Sequence, residues 1–203
     1  MTRERLYSEK VGEALAFAAE VHVTQTRKGK DTPYLSHVLA VAGLVAHYGG
    51  SETQIIAGAL HDAVEDQGGE EMAREIGQRF GPEVEAIVRD CSDATPEPDQ
   101  PKPEWWARKR AFLATLEQPD RHGSRLVEAC DKLANLRDIV EDLEREGADT
   151  LARFNGKREG TIWYYSALSE VLLPQVPQVQ PEYRRLLARL LELTGTGARS
   201  GLP

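Results

Sequence analysis

The stretch ETQIIAGALHDAVED, residues 52–66, combines an apolar helical pattern with a dense group of polar side chains. Its apolar residues recur at spacings of three and four, which favours an α-helix. Ser51 lies just before it, and Gln54 follows three residues later, so the pair has the spacing of a capping box and predicts the start of the helix. The stretch becomes acidic at its end, before Gly68-Gly69, where we expect the helix to stop.

The same spacing continues in both directions along nearly all of the 203 residues. No run of alternating β-branched residues is long enough to predict a strand. We therefore expect an all-α protein. Helices are predicted at about 8–24, 33–48, 52–66, 70–80, 82–91, 104–118, 124–146, 157–173 and 182–193, with a short helical turn at 149–154.

The chain is acidic, with 25 Lys and Arg residues against 33 Asp and Glu, a net charge of −8. A nucleic-acid-binding protein needs a basic face to neutralise phosphates, so nucleic acid is not expected as a partner. A small phosphorylated ligand remains compatible with this charge, because a local pocket can have the opposite sign.

Neither a membrane nor a secreted location is expected. No stretch approaches the roughly 18 uninterrupted apolar residues of a membrane span, and the charged N-terminus lacks the apolar core of a signal peptide. Cys91 and Cys130 are far apart in the sequence and form no CxxC motif, which excludes a disulfide framework. These features favour a reducing cytoplasm.

A proline-rich segment, DATPEPDQPKP at residues 93–103, interrupts the helical pattern. The composition on its two sides is similar, so a surface loop is favoured over a linker between domains. We expect one domain over residues 1–195 and a flexible, glycine-rich tail over residues 196–203.

Four polar side chains stand out at the end of the quoted stretch. In an α-helix, residues four apart lie on nearly the same face, about 6 Å apart along the axis. His61 is therefore expected next to Glu65, and Asp62 next to Asp66. Polar groups beside an apolar run are costly to bury unless something neutralises them, and a divalent cation would do so.

Two further residues complete a candidate metal site. His37 opens an apolar helix, although taken alone it would serve equally well as a capping or core histidine. Asp131 lies in the apolar segment RLVEACDKLANLRDIV, with Asn135 one turn later on the same face. Two imidazoles and two carboxylates suit Mn, Fe, Zn or Mg, and such an ion promotes phosphoester hydrolysis by acidifying water and polarising phosphoryl oxygen.

The order of these residues resembles the ligand order of the HD phosphohydrolase superfamily. Three segments are similar to motifs of the hydrolase domain of Rel/SpoT alarmone enzymes, and above all to the small alarmone hydrolases that resemble the metazoan SpoT homologue. They are RKGKDTPYLSH at 27–37, ALHDAVED at 59–66 and DKLANLRDI at 131–139. RFNGKREGTIWYYSAL at 153–168 extends the resemblance.

The resemblance implies a bundle of about ten helices around one Mn²⁺ ion. It also implies removal of the 3′-pyrophosphate from guanosine tetra- or pentaphosphate, giving GDP or GTP. By position, the implied metal ligands are His37, His61, Asp62 and Asp131. Glu65 and Asp66 match the acidic pair that the family uses to activate water, and a carboxylate one turn from a ligand is suitably placed for this.

The resemblance also implies substrate contacts. Arg27 and Lys28 would contact pyrophosphate oxygens, and Asn135 would lie near ribose and phosphate. Lys109 and Arg158 are weaker candidates for phosphate contacts, since either could be a solvated helix residue. No sequence after residue 195 could hold a synthetase domain, so hydrolysis without synthesis is expected.

Glu128 stands where many relatives have Lys, which argues against a phosphate contact there. His22, His47 and His122 are interpreted as ordinary helix or loop histidines. The tryptophans Trp105-Trp106 fit a core position, a lid over a base or an oligomer contact equally well.

Three alternatives remain open at this point. The same chemistry could act on adenosine alarmones or on another nucleotide phosphorylated at the 2′ or 3′ position, because the metal ligands do not contact the base. A non-catalytic HD module that senses nucleotides is less favoured, since no ligand is missing. A purely structural role would require all these carboxylates to be surface residues. A small nucleotide is the expected partner, and a homodimer is compatible with the sequence.

Overall fold

The computed structural model describes residues 6–92, 103–121 and 123–196. Most of the proline-rich segment, His122 and the tail from residue 197 onward lie outside the described residues. The predictions made for that segment and for the tail therefore stay predictions.

The prediction of an all-α protein is confirmed. Within the described residues there are nine α-helices and no strand, apart from one isolated bridge between Thr26 and Pro33. The helices are α1 (Lys10–Val21), α2 (Leu35–His47), α3 (Glu52–Leu60), α4 (Gly69–Phe80), α5 (Pro82–Cys91), α6 (Trp105–Leu116), α7 (Arg125–Glu146), α8 (Lys157–Val171) and α9 (Gln180–Leu193). Short 3₁₀ segments occupy Pro119–Arg121, Ala148–Arg153 and Leu173–Gln175.

The start of α3 agrees with its prediction, and its end does not. The capping box is present, since Gln54 N–H donates to Ser51 Oγ at 3.3 Å and Ser51 N–H donates to Gln54 Oε1 at 3.0 Å. The predicted helix over 52–66 instead ends at Leu60, and a π-helical turn follows over Val64–Gly68. Gly69 closes this wider turn, because its N–H bonds to the carbonyl of Val64 while its φ of 54° suits glycine.

The core is built around α3 and α7. Helix α3 packs against α1, α2, α5 and α7, and α7 packs in addition against α2 and α9. At Gly58 on α3, a Cβ atom would lie only 3.2 Å from Val45 Cγ2 and 3.5 Å from the Cα of Ala42. The glycine therefore lets α2 and α3 approach closely, which brings the start of α2 near the end of α3.

No helix within the described residues is long and apolar enough to cross a membrane. Cys91 and Cys130 are both buried free thiols, in agreement with the expectation that they form no disulfide.

Two glycines at the second helix provide a test of this packing. A Cβ at Gly50 would lie 2.4 Å from Val45 Cγ1 and 2.9 Å from the Val45 carbonyl oxygen, whereas a Cβ at Gly43 would meet nothing within 4 Å. We expect Gly50→Ala to lower the free energy of unfolding by about 1–3 kcal/mol through overpacking. Gly43→Ala should raise it by up to about 1 kcal/mol, because alanine favours a helix interior. Urea unfolding measures both, and equal effects of the two substitutions would contradict this packing.

Candidate functional site

Four side chains from three elements meet where α2, α3 and α7 come together. His37 comes from the first turn of α2, His61 and Asp62 directly follow α3, and Asp131 lies on α7. His37 Nε2 lies 3.5 Å from Asp62 Oδ2 and 3.1 Å from Asp131 Oδ1. His61 Nε2 lies 2.8 Å and 3.5 Å from the same two oxygens. The sequence-predicted ligand set is thus brought together in space.

The Nε2 atoms of both imidazoles face the carboxylates of this cluster. His61 Nδ1 is 2.9 Å from the carbonyl oxygen of Gly58, so Nδ1 carries a proton, and in the neutral imidazole Nε2 is left as an acceptor. The Nε2 atoms of His37 and His61 are both buried and make no hydrogen bond of good geometry. Orphaned imidazole nitrogens beside carboxylates are the donor set of a divalent metal site, so these residues fit the metal that the sequence implies.

The carboxylates of the cluster are held by neighbours that the sequence reasoning missed. Tyr34 donates its hydroxyl to Asp62 Oδ2 at 2.6 Å. Asp131 accepts from Asn135 Nδ2 at 2.6 Å on one oxygen and from Lys132 on the other. Burial and the nearby Asp62 raise the pKa of Tyr34 above its ordinary value, so its hydroxyl keeps its proton and remains a donor. Tyr34 and Lys132 both lie inside segments that carry the family resemblance, but their residue types alone do not mark them for this role.

An open cleft of about 330 Å³ adjoins the cluster. Seven Lys and Arg residues line it against three carboxylates. These cations are Arg27, Lys28, Lys30, Arg108, Lys109, Lys132 and Arg153. The cleft is therefore a positive site on an acidic protein, which is the local reversal of charge that a phosphorylated ligand requires.

The cleft brings together most of the predicted substrate contacts. Arg27 donates to Asn135 Oδ1 at 2.7 Å and to Asp138 Oδ2 at 2.9 Å, and Lys28 donates to Asn155 Oδ1 at 2.8 Å. Lys109 also lines the cleft, with its Nζ 5.0 Å from the centre of the Tyr164 ring.

Arg158 is the predicted contact that the structure does not bring to the cleft. Its guanidinium donates to the carbonyl of Thr194 at the end of α9, and its side chain is absent from the lining. Lys157 and Arg158 begin α8 and do not line the cleft, whereas Arg153, from the preceding 3₁₀ segment, does. The segment that carries the resemblance thus lies near the site, and Arg153 rather than Arg158 is its arginine that lines the cleft.

The predicted acidic pair is divided by the π-helical turn. Glu65 lines the cleft and lies 3.8 Å from Arg108. Asp66 is exposed, does not line the cleft and accepts a hydrogen bond from Gln25 Nε2 at 2.7 Å. Of the two carboxylates, Glu65 is thus the one that faces a ligand in the cleft.

The tryptophans belong to an aromatic cluster on one wall. The ring centres of Trp105 and Trp106 are 5.2 Å apart, and Trp163 on α8 lies 4.9 Å from Trp106. Trp105 lines the cleft and lies against Gly156 and Gly160, where added Cβ atoms would come within 2.6 Å and 2.7 Å of the indole. This wall fixes α6 against the start of α8.

Glu128 is fully buried beneath the site and does not line the cleft. Its carboxylate oxygens have no hydrogen-bond partner, and the nearest cation is Lys132 Nζ at 3.5 Å. Burial raises the pKa of Glu128 from 4.5 to about 7, with Lys132 partly opposing that shift.

This shift predicts a pH dependence of stability. Between about pH 4.5 and 7 the folded state binds the Glu128 proton and the unfolded state does not, so its contribution to stability is lost as pH rises through 7. Glu128→Gln keeps the shape and removes the titration. The melting temperature of Glu128→Gln minus that of the unsubstituted protein is the quantity to compare. We expect this difference to be higher at pH 8 than at pH 5 by about 3 °C or more.

The exposed carboxylate of Glu83 supplies the control. Glu83→Gln should show the same difference in melting temperature at both pH values. A pH-independent effect of Glu128→Gln would show that its carboxylate is ionised in the folded protein throughout this range.

A family model described as HD domain matches residues 14–162, which include all four clustered residues. This chain belongs to the HD domain family. The HD domain is similar to the guanosine-3′,5′-bis(diphosphate) 3′-pyrophosphohydrolase of Xenopus tropicalis, with 39% identity over 63% of this chain and 68% of the relative. The human protein of the same name is 37% identical over 63% of this chain and 68% of the relative.

Solved structures support the fold of this HD domain. A structure described as a metazoan orthologue of SpoT that hydrolyses ppGpp aligns with a TM-score of 0.68, covering 93% of this chain and 97% of that one. At 24% identity, this match shows the fold alone. A second structure, from Listeria monocytogenes, aligns with a TM-score of 0.61 and 26% identity over 77% of this chain and 99% of that one.

Proposed function

We propose that this HD domain hydrolyses the 3′-pyrophosphate ester of guanosine 3′,5′-bis(diphosphate) and its pentaphosphate analogue, releasing pyrophosphate and GDP or GTP. The observation that carries the proposal is the His–Asp cluster with Glu65 and seven cations facing one cleft beside it. The names of the Xenopus and human relatives indicate the same reaction for those proteins.

A divalent cation is part of this proposal, and Mn²⁺ is the ion that the resemblance implies, with Mg, Fe or Zn as alternatives. His37, His61, Asp62 and Asp131 would hold it, since they are the clustered donors. When bound, such an ion supplies a Lewis acid that polarises a phosphoryl oxygen and makes water more acidic.

The side chains of the cleft supply the rest of the chemistry. Glu65 is proposed as the general base that takes the proton from the attacking water, because it is the carboxylate of the acidic pair that lines the cleft. Arg27, Lys28 and Lys109 are proposed to bind phosphate oxygens, and a guanidinium suits this contact because it can donate two parallel hydrogen bonds. Asn135 links Asp131 to Arg27, so it is proposed to couple the metal end to the phosphate end.

Asp66 is proposed to act through position rather than by contact with water. Its hydrogen bond from Gln25 ties the π-helical turn to the chain beyond α1, and Gln25 also accepts from Gln67 at 2.8 Å. These contacts fix the orientation of the turn that carries Glu65.

The proposal is tested by measuring pyrophosphate release from guanosine 3′,5′-bis(diphosphate) by metal-stripped protein, with and without added Mn²⁺. Release that depends on Mn²⁺ is expected. The adenosine analogue, assayed in parallel, determines whether the base matters. Failure to release pyrophosphate from either nucleotide, by protein shown to bind one Mn²⁺ ion, would overturn the proposed reaction.

The role of Glu65 gives a sharper test. Glu65→Gln keeps the size of the side chain and removes its basicity, so kcat should fall by about 10²–10⁴-fold while one Mn²⁺ ion still binds. Asp131→Ala, in contrast, should lose bound metal and activity together. Turnover and metal content, measured on the same samples, separate these two results.

Glu83→Gln is the matched control, because Glu83 is an exposed glutamate at the start of α5 that does not line the cleft. It should retain the turnover of the unsubstituted protein. Unchanged kcat in Glu65→Gln would reject its assignment as the base.

A further inference from the structure

The end of the cleft away from the metal cluster contains a pair of cations that the proposed reaction does not use. We call Lys30 and Arg153 the distal cation pair. Both form ion pairs with Asp142 of α7, whose side chain is only 1% exposed. Lys30 Nζ lies 2.6 Å from Asp142 Oδ1, and the Arg153 guanidinium donates to Oδ2. Both cations line the cleft.

Helix α7 sets the distance between this pair and the metal cluster. Asp131, Asn135, Asp138 and Asp142 follow one another at intervals of four, three and four residues, so they lie along one face of the helix. Eleven residues at 1.5 Å each separate Asp131 from Asp142 by about 16 Å along the axis. The last three of these residues line the cleft, and Arg27 bridges the middle two. The cleft therefore runs from the metal cluster to the distal cation pair.

The pair is held in place before any ligand arrives. Gly29 adopts a φ of 72°, and a Cβ there would lie 3.0 Å from Arg153 Cδ, so the loop between α1 and α2 lies directly on the Arg153 side chain. Lys28 joins the same two segments through its hydrogen bond to Asn155. A site whose donors are already fixed loses less entropy when it binds.

The charges at this end of the cleft are not balanced. Asp142 and Glu146 supply two negative charges to three cations, namely Lys30 and Arg153, which face the cleft, and Arg145, which contacts Asp142 at 3.0 Å from the outside. Burial, together with the neighbouring arginines, lowers the pKa of Lys30 despite the opposing effect of Asp138. An anion between Lys30 and Arg153 would relieve this crowding of like charges.

We propose that the distal cation pair binds a second phosphate-bearing end of the substrate, on the opposite side of the nucleoside from the phosphate that is attacked. This inference rests on the proposed function, in which the second end is the 5′-phosphate arm. It assigns to Lys30 and Arg153 the selection of nucleotides that carry phosphate on both the 3′ and 5′ positions. A lysine and an arginine together suit a terminal phosphate, one as a compact charge and the other as a planar pair of donors.

The test compares the binding of two ligands that are not cleaved as pyrophosphate esters. Guanosine 3′,5′-bisphosphate carries the second phosphate and guanosine 3′-monophosphate lacks it. Isothermal titration calorimetry on the Mn²⁺-loaded protein should show a preference of about tenfold or more for the bisphosphate. Lys30→Met and Arg153→Met should each weaken the binding of the bisphosphate by about tenfold and leave the affinity for the monophosphate unchanged.

Arg145→Met is the matched control. Arg145 also pairs with Asp142, but its side chain is 56% exposed and does not line the cleft. It should retain the full preference for the bisphosphate. Arg153→Lys keeps the charge and should retain part of the preference for the bisphosphate. It also keeps an ion pair with buried Asp142, so it provides a folded variant if Arg153→Met proves too destabilising.

Several outcomes overturn the inference. The unsubstituted protein could bind both ligands with equal affinity, or bind neither. Lys30→Met could weaken the binding of both ligands equally, or Arg145→Met could lose as much of the preference for the bisphosphate as Lys30→Met does. Because binding needs no turnover, these results are independent of pyrophosphate release. Absence of that release with an intact preference for the bisphosphate would reject the proposed reaction and keep the distal site.

Discussion

The burial of Asp131 among two imidazoles is the constraint on which the site depends. Its carboxylate lies in the second turn of α7, 3.1 Å from His37 Nε2 and 3.5 Å from His61 Nε2, with both histidines almost completely buried. A carboxylate in such a place is stable only if its charge is met on every side. Asn135 and Lys132, both on α7, donate hydrogen bonds to this carboxylate. The close approach of α2 to α3 at Gly58 brings the two histidines next to it. The chemistry of the site therefore depends directly on how these three helices pack.

The cleft shows how an acidic protein presents a basic surface to a ligand. Its cations are anchored by a few carboxylates and amides, mostly on one face of α7, and these anchors set where each positive charge lies. Partly buried ion pairs of this kind are weak evidence for stability, since desolvation offsets much of their attraction. Their clearer effect is to hold long side chains still.

Much of this arrangement could be predicted from the sequence. Apolar spacing gave the all-α class and most helix positions, and the capping box at Ser51 fixed the start of α3. The four clustered residues were found because buried polar groups on apolar helices need a common partner. The contributions of Tyr34, Lys132, Lys30 and Arg153 could not be predicted in the same way, because lysines, arginines and tyrosines are frequent on surfaces. Only the fold shows which of them turn toward the cleft, and Arg158 turns away.

The π-helical turn at Val64–Gly68 has a consequence for how this chain tolerates changes in length. A π turn holds one residue more than the α turn in the same place, and it leaves the helices on either side in different rotational registers. Removing the residue that precedes Glu65 in this turn would rotate its carboxylate by about 100° around the axis relative to α3, because each residue of an α-helix adds that angle. The core before the turn would still pack as it does now, while the cleft would lose the only carboxylate that, among the described lining residues, comes from this turn. In this segment, a one-residue deletion is therefore expected to damage the site more than a substitution that leaves Glu65 in its orientation.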